Sequence, residues 1–160
     1  MKYDGAYCTV DTFRHLLTDQ EAISHLRFVN QILTANGIYI LGLHVLPRLG
    51  VRNRLFRWQG GRGRLRVNTT IKVLKVDTRK REETLAYILR VSKPSITKTY
   101  RSVYKLRTYT LDQFKKIAAT GGFEIRAVYD VNEGYTGPIA ADTDSENLAF
   151  VLGRKQTIQL

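Results

Sequence analysis

The spacing of the apolar residues changes twice along this sequence, and the change limits the folds that it can form. In the first and last thirds, apolar residues recur at helical intervals. In the middle, apolar and polar residues alternate along three long segments. A helical interval predicts an amphipathic helix, whereas alternation predicts a half-buried strand. The sequence therefore predicts two helix-and-strand units separated by an antiparallel β region.

The first unit is predicted to open with a strand from Tyr3 to Val10. Thr18 and Glu21 have the spacing of a capping box, in which each side chain caps the other residue's backbone amide. Asn36-Gly37 predicts a left-handed end to this helix, and the apolar run from Ile38 to Leu43 predicts a buried strand. The apolar stripe of the helix consists of Ala22, Leu26, Val29 and Leu33.

The last third repeats this pattern. Thr110 and Gln113 form a second capping box, and Gly121-Gly122 predicts the end of the helix. Strands are predicted from Phe123 to Tyr129 and from Asn147 to Gly153. The order strand, helix, strand, helix, strand is typical of α/β folds.

The alternating middle segment is predicted to form about three antiparallel strands with one apolar and one cationic face. Apolar residues alternate from Leu65 to Val73, from Leu85 to Val91 and from Tyr100 to Leu106. The glycine-rich stretch from Gly60 to Arg64 is interpreted as a loop. We predict a single domain over residues 1–160, in which residues 48–107 are a basic β insertion.

The net charge of +12 comes from this insertion. Residues 48–107 contain 18 basic and three acidic side chains, whereas both flanks are slightly acidic. The single cysteine excludes an internal disulfide, and the longest apolar run is too short to span a bilayer. The first residues lack the apolar core of a signal peptide. We therefore expect a cytoplasmic protein with no membrane contact.

The flanks resemble a known family in the order of their motifs. The stretch "YDGAYCTVDTFRHLLTDQEAISHLRFVNQILTANGIYILGLHVLP" is similar to the second half of a class I S-adenosylmethionine-dependent methyltransferase. The stretch "YKLRTYTLDQFKKIAATGGFEIRAVYD" resembles the next unit of that family, and "NLAFVLGRK" resembles its closing strand. The resemblance implies an α/β, partial Rossmann-like sheet and S-adenosylmethionine as cofactor.

The sequence departs from the family where the cofactor motif would stand. Neither the glycine-rich turn after the family's first strand nor the acidic residue ending its second strand is present. The resemblance thus implies that the chain starts at the fourth strand. It implies methyl transfer to an unidentified acceptor by a truncated or split enzyme that needs the missing cofactor-binding half. The expected partner is that N-terminal half or a second copy, paired through the strand at residues 3–10.

The resemblance also implies where the site lies. Four residues at the end of the first strand and in the following loop are expected to face the cofactor: Cys8, Thr9, Val10 and Phe13. Asp11 is expected to hold a cofactor amine or a substrate proton, and His15 to act as a base. Substrate contacts are expected from Thr12, His44, Trp58 and Arg101. Alternatively, Asp11-Thr12 caps a helical turn, His15 is structural, Trp58 covers the core and Arg101 lies on an ordinary sheet face.

A second hypothesis is a nucleic-acid-binding module without catalysis. Arginines are frequent between residues 48 and 66, with Phe56 and Trp58 interleaved among them. Such a run suits phosphate contacts and base stacking. The alternative is a solvated basic surface or one that pairs with an acidic partner. The three histidines, at positions 15, 25 and 44, do not have the spacing of metal ligands.

Overall fold

The computed structural model describes residues 1–48, 50, 55–132 and 134–155. The chain divides into two compact units. The first contains Met1–Gly50 and Arg107–Leu160, and the second contains Val51–Leu106. That the two units form one domain stays a prediction. No described helix is long and apolar enough to cross a membrane.

The first unit contains a mixed four-stranded sheet and two helices. Its elements are β1 (Tyr3–Cys8), α1 (Asp19–Ile32), β2 (Leu33–His44), α2 (Leu111–Thr120), β7 (Phe123–Asp130) and β8 (Asn147–Arg154). The strand order is β1-β2-β8-β7, so β1 lies at the edge of the described sheet. β1 and β2 are parallel, whereas β8 is antiparallel to both β2 and β7. The predicted α/β class is confirmed.

The start of α1 is as predicted, but its end is not. The Thr18 hydroxyl accepts a hydrogen bond from the Glu21 amide (3.2 Å), and the Glu21 carboxylate accepts one from the Thr18 amide (2.9 Å). The helix ends at Ile32 and β2 begins at Leu33, so the predicted left-handed stop at Asn36-Gly37 is wrong. Pairing with β1 already begins at Leu33, which ends the helix early.

Gly37 serves a different purpose from the one predicted. The pairing register shifts from Tyr3 with Leu33 to Gly5 with Ile38, so the first part of β2 bends away from regular pairing. A Cβ on Gly37 would lie 3.1 Å from the Tyr3 carbonyl oxygen and 3.1 Å from the Leu33 Cβ. A side chain here would press against the Tyr3 carbonyl and Leu33, so glycine favours the close approach to β1.

Helix α2 follows its prediction at both ends. The Thr110 hydroxyl accepts a hydrogen bond from the Gln113 amide (3.3 Å), and the Gln113 side-chain oxygen accepts one from the Thr110 amide (3.0 Å). Gly122 follows the helix with a φ of +89°, a left-handed conformation that glycine adopts without steric cost.

The core of the first unit lies between its helices and one face of its sheet. Ala22, Leu26 and Val29 of the α1 stripe are buried. The buried residues of α2 are Leu111, Phe114, Ile117 and Ala118. The largest buried side chains are aromatic: Phe13, Tyr39, Tyr109, Phe114, Phe123 and Phe150. Parallel pairing holds β1 and β2 beside each other, so their carboxyl ends meet at one edge.

The second unit is an antiparallel sheet of four strands in the order β3-β4-β5-β6. The strands are β3 (Leu55–Arg62), β4 (Leu65–Asp77), β5 (Glu82–Lys93) and β6 (Ile96–Arg107), and the last residue of β6, Arg107, already belongs to the first unit. Strand β3 was not predicted, and interpreting the stretch from Gly60 to Arg64 as a loop is wrong for its first three residues. These residues belong to β3, and the hairpin turns at Gly63, which has a φ of +58°.

Candidate functional site at the ends of β1 and β2

Parallel strands β1 and β2 end side by side, and three polar side chains meet at that edge. His44 is the last residue of β2, and Asp11 and Arg14 follow the end of β1. In open α/β sheets, ligands bind beyond the carboxyl ends of the strands. This cluster is therefore the candidate site of the first unit.

The chain leaves β1 through two residues with left-handed backbone. Val10 has a φ of 56° and Asp11 has a φ of 62°. This conformation is unfavourable for most residues with a Cβ, and especially for a β-branched one such as Val10. The neighbouring β2 has a glycine here, Gly42, whose Cβ would lie 3.3 Å from both the Thr9 Cα and the Val10 amide nitrogen. Strained residues of this kind cluster at functional sites.

Asp11 accepts three hydrogen bonds within this edge. Its Oδ1 accepts from the backbone N–H of His44 at 2.8 Å. Its Oδ2 lies 2.5 Å from the His44 Nδ1 and 3.1 Å from an Arg14 guanidinium nitrogen. The carboxylate thus joins the end of β2 to the turn that follows β1.

Arg14 connects this cluster to the start of α1. It is only 4% exposed, and its Nε donates a hydrogen bond to the Arg107 carbonyl oxygen at 2.9 Å. The Arg107 guanidinium in turn donates to Asp19 at 2.8 Å and to the Leu17 carbonyl oxygen at 2.7 Å. A buried cation therefore lies next to Asp11.

The electrostatic environment favours the charged forms of both Asp11 and His44. Burial alone would raise the pKa of Asp11. The hydrogen bond from His44 and the charges of Arg14 and His44 outweigh burial and lower this pKa to about 2. Burial alone would lower the pKa of His44, but the hydrogen bond to Asp11 and its charge raise it. A protonated His44 can stabilise negative charge, but it cannot accept a proton.

The alternative that Asp11 caps the following turn does not hold. Residues Thr12–His15 form a single 3₁₀ turn with Asp11 at its N-cap position, but the Asp11 side chain makes no capping hydrogen bond. It bonds to His44 and Arg14 instead.

The remaining predicted residues of this turn lie in different environments. Thr12 is exposed, and its hydroxyl donates to the Thr9 carbonyl oxygen at 3.1 Å. His15 is also exposed. Phe13 is 2% exposed and packs in the core, with ring centroids 5.7 Å from His25 and 5.9 Å from Tyr109. The catalytic role of His15 and the cofactor role of Phe13 stay predictions.

The end of β1 presents both packed and exposed groups. Cys8 is half-buried against the core, opposite Leu41 of β2. Thr9 and Val10 are exposed, Val10 to 89%. Burial and the adjacent Cys8 raise the pKa of Tyr39, whose hydroxyl lies 2.9 Å from a His25 ring nitrogen.

Two predicted substrate residues, Trp58 and Arg101, belong to the second unit. Trp58 of β3 is half exposed and packs edge-on against Tyr87, with ring centroids 6.5 Å apart. Arg101 of β6 lines a shallow depression of about 600 Å³ on the sheet. Their roles as substrate contacts stay predictions.

The sequence interpretation missed Arg14 and the pairing of His44 with Asp11. Arg14 follows Asp11 by three residues, which is the spacing of a local ion pair. The partnership of Asp11 with His44 spans 33 residues of sequence and depends on the parallel pairing of β1 and β2. Knowing that β1 and β2 pair in parallel would have been the signal that Asp11 lies next to His44.

Comparison with known proteins supports the fold. Neither a protein-family model nor a curated protein matches the sequence. Solved structures do match, among them an S-adenosylmethionine-dependent methyltransferase from Clostridium acetobutylicum. It is 12% identical with a TM-score of 0.73, and the match covers 97% of this chain and 59% of that one.

Two sugar methyltransferases match over a similar range. The sugar N-methyltransferase KedS8 from Streptoalloteichus is 12% identical with a TM-score of 0.71, over 97% of this chain and 57% of that one. The amino pentose methyltransferase CalS10 from Micromonospora echinaspora, solved with S-adenosylmethionine bound, is 15% identical with a TM-score of 0.69, over 96% of this chain and 59% of that one. The chain thus has a methyltransferase fold and spans less than two thirds of the length of these proteins.

Proposed function

We propose that this chain is the substrate-side part of an S-adenosylmethionine-dependent methyltransferase, and that it acts with a separate segment that binds most of the cofactor. The observation that carries the proposal is the polar cluster of Asp11, Arg14 and His44 at the strand-end edge of a methyltransferase fold.

The residues at the end of β1 fit one part of the cofactor. Thr9 and Val10 are exposed and follow the last paired residue of β1, so both residues are accessible to a ligand. The Asp11 carboxylate already accepts three hydrogen bonds and is only 20% exposed, so it fits a positioning role better than direct capture of an amine. When bound, the cofactor supplies an electrophilic methyl group on a sulfonium.

The chain's own groups position and polarise the acceptor of the methyl group, and they form no covalent bond with it. Methyl transfer depends mainly on holding the acceptor in line with the methyl group. Asp11 fixes the His44 ring through Nδ1 and favours its protonated form, whose positive charge can stabilise a negative charge nearby. The exposed His15 is the proposed base for an acceptor proton.

The cofactor site is tested by titrating the isotope-labelled chain with S-adenosylhomocysteine and following its backbone amides by NMR. We expect shifts confined to residues 8–13 and the end of β2, with an affinity near the millimolar range. The affinity is weak because the sequence lacks the glycine-rich turn and the ribose-binding carboxylate. Adenosine serves as the control ligand and should shift these amides much less.

The same spectra contain an internal reference. Leu152 and Gly153 of β8 pair with Tyr39 and Ile38, towards the opposite end of β2 from His44. Their amides should keep their positions throughout the titration.

Two results would contradict the proposal. Micromolar affinity by calorimetry would mean that the chain alone holds a complete cofactor site. Shifts that avoid the end of β1 altogether would remove the basis for placing the cofactor there.

A further inference from the structure

We infer that one face of the second unit's sheet binds the sugar–phosphate backbone of a nucleic acid, independently of base sequence. The inference concerns residues of β3 to β6 alone and does not depend on the proposed methyl transfer. It rests on where the strand register places the basic side chains, which acids lie near them, and which polar groups surround them.

The register gathers five exposed basic residues on one side of the sheet. Side chains directly opposite each other on paired strands point to the same face. Arg57 lies opposite Thr70, Arg66 opposite Ser92, Lys72 opposite Ala86, and Arg90 opposite Asn68. Arg101 lines the same depression as Asn68, Thr70 and Arg90. We call this group the cationic face: Arg57, Arg66, Lys72, Arg90 and Arg101.

The carboxylates of this unit lie away from these five residues. Asp77 pairs with Lys75 at 3.6 Å, and Glu82 pairs with Lys105 at 2.8 Å, while Glu83 is buried. All three carboxylates lie at the turn end of the β4–β5 hairpin, where Asp77 pairs with Glu82 in the register. Across the described residues of β3 to β6, no member of the cationic face forms an ion pair.

The polar groups between the basic residues suit phosphate oxygens. The depression of about 600 Å³ is lined by Arg90, Arg101, three threonines, one asparagine and Ile88. Threonine hydroxyls, asparagine amides and guanidinium groups are common donors to nucleic-acid phosphates. The basic residues extend from β3 to β6, which is about 14 Å at the usual strand spacing. A surface of that width is larger than one phosphate group needs and suits a repeating polyanion.

The aromatic residues indicate that bases are not stacked on this face. Trp58 lies opposite Thr69 and contacts Tyr87, so it points to the other side of the sheet from Arg57. The alternation of arginines and aromatics along β3 therefore separates the two kinds of side chain. Without a stacking platform, binding depends on phosphate contacts, which carry no sequence information.

The inference is tested by fluorescence anisotropy with the full chain and a labelled RNA duplex of about 20 base pairs, at several salt concentrations. The test variant combines Arg66→Glu, Arg90→Glu and Arg101→Glu. The matched control makes the same change in net charge on the exposed helix surface of the first unit, through Arg27→Glu, Lys115→Glu and Lys116→Glu. Unfolding curves of both variants verify that each is folded.

We expect the test variant to bind at least about tenfold more weakly, while the control changes by less than about threefold. The slope of log K against log salt should become shallower by about 2.7, which is 0.9 for each of three lost phosphate contacts. A milder variant, with glutamine at the same three positions, should keep the fold and lie between the two. A labelled single strand of equal length shows whether the backbone of one strand suffices.

Three outcomes would overturn the inference. Equal losses of RNA affinity in the test and control variants would mean that binding depends only on net charge. Binding that does not depend on salt would exclude phosphate contacts. Displacement of the RNA by polyglutamate at equal charge concentration would mean that the face recognises acidic polypeptide as well as it recognises nucleic acid.

Discussion

The Asp11 carboxylate and the His44 imidazole lie 2.5 Å apart at the ends of two parallel strands. The Asp11 carboxylate also accepts the His44 backbone N–H at 2.8 Å, so one side chain fixes both the main chain and the ring of its partner. Buried Arg14 adds a second cation at 3.1 Å. The edge of the sheet is thereby held in one arrangement, and its stability depends on charge.

Replacing Asp11 with asparagine should destabilise the first unit. The change leaves the buried Arg14 and the His44 ring without a countercharge. A carboxyl whose pKa falls from 3.8 to about 2 contributes about 2 kcal/mol to the free energy of unfolding at neutral pH. We expect a loss of about that size in urea denaturation. The control is Asp4→Asn, an exposed carboxylate of β1 that should change stability by less than about 0.5 kcal/mol.

The pair also predicts how stability depends on pH. The pKa of His44 is raised by folding, so its stabilisation is complete below the unfolded value of 6.5 and is lost as pH rises through the folded value. The pKa of Asp11 is lowered, so its stabilisation is present above 3.8 and is lost as pH falls towards about 2.

His44→Gln should therefore lower the free energy of unfolding most at about pH 5, between these two limits, and least at about pH 9. Urea denaturation of both proteins across this range measures the difference. A cost that stays constant with pH would mean that His44 contributes through packing rather than charge.

Replacing Val10 with asparagine should stabilise the protein. Val10 is 89% exposed and has a φ of 56°, so the substitution sacrifices no packing and relieves left-handed strain. Left-handed backbone costs about 1–2 kcal/mol for most residues and less for asparagine. We expect a gain of about 0.5–1 kcal/mol by thermal or urea unfolding. Val103→Asn, at an exposed strand position without positive φ, should give no gain.

Gly121→Ala should disrupt the contact between α2 and α1. A Cβ at this position would lie 2.5 Å from the Leu26 Cβ, and Leu26 is fully buried. The helices must then separate slightly, at a cost of about 1–3 kcal/mol. Gly137→Ala in the same unit has no atom within 4 Å of the added Cβ and should be nearly neutral. Similar unfolding midpoints for the two variants would contradict the close packing at Leu26.

The exposed edge of β1 predicts self-association or dependence on a partner. β1 is bordered only by β2 in the described sheet, and Tyr7 on it is 80% exposed. Such an edge is a template for pairing with another strand. Light scattering should show association that increases with concentration and that Tyr7→Lys reduces, while Tyr135→Lys in a loop leaves it unchanged. A monodisperse monomer at high concentration would refute this prediction.

The sequence predicted the elements whose signals are local. Both capping boxes and the left-handed Gly122 lie within a few residues of the ends that they define, so pattern alone was sufficient. The end of α1 was missed because it depends on β1, a segment about 30 residues earlier. Strand β3 was missed because its glycines and polar residues interrupt alternation, and pairing with β4 supplies what its own sequence lacks.

Polar residues at the ends of neighbouring strands were predicted from the sequence, but their contacts with one another were not. The family resemblance placed Asp11 at the strand-end edge, and His44 was placed there because it ends the second predicted strand. Their direct pairing, and the burial of Arg14 beside them, require the register of β1 against β2. Register is a long-range property that one sequence does not contain.

The division of the chain into two units has a consequence for the order of folding. The second unit is continuous in sequence, and each of its strands pairs with the next, so its contacts are local. The first unit must instead join two distant segments, as in the 2.7 Å hydrogen bond from the Leu46 amide to the Tyr109 carbonyl oxygen. Closing a long flexible loop carries an entropic cost. If the strands of the second unit fold first, less flexible chain separates the two segments of the first unit. Bringing those segments together then carries a smaller entropic cost.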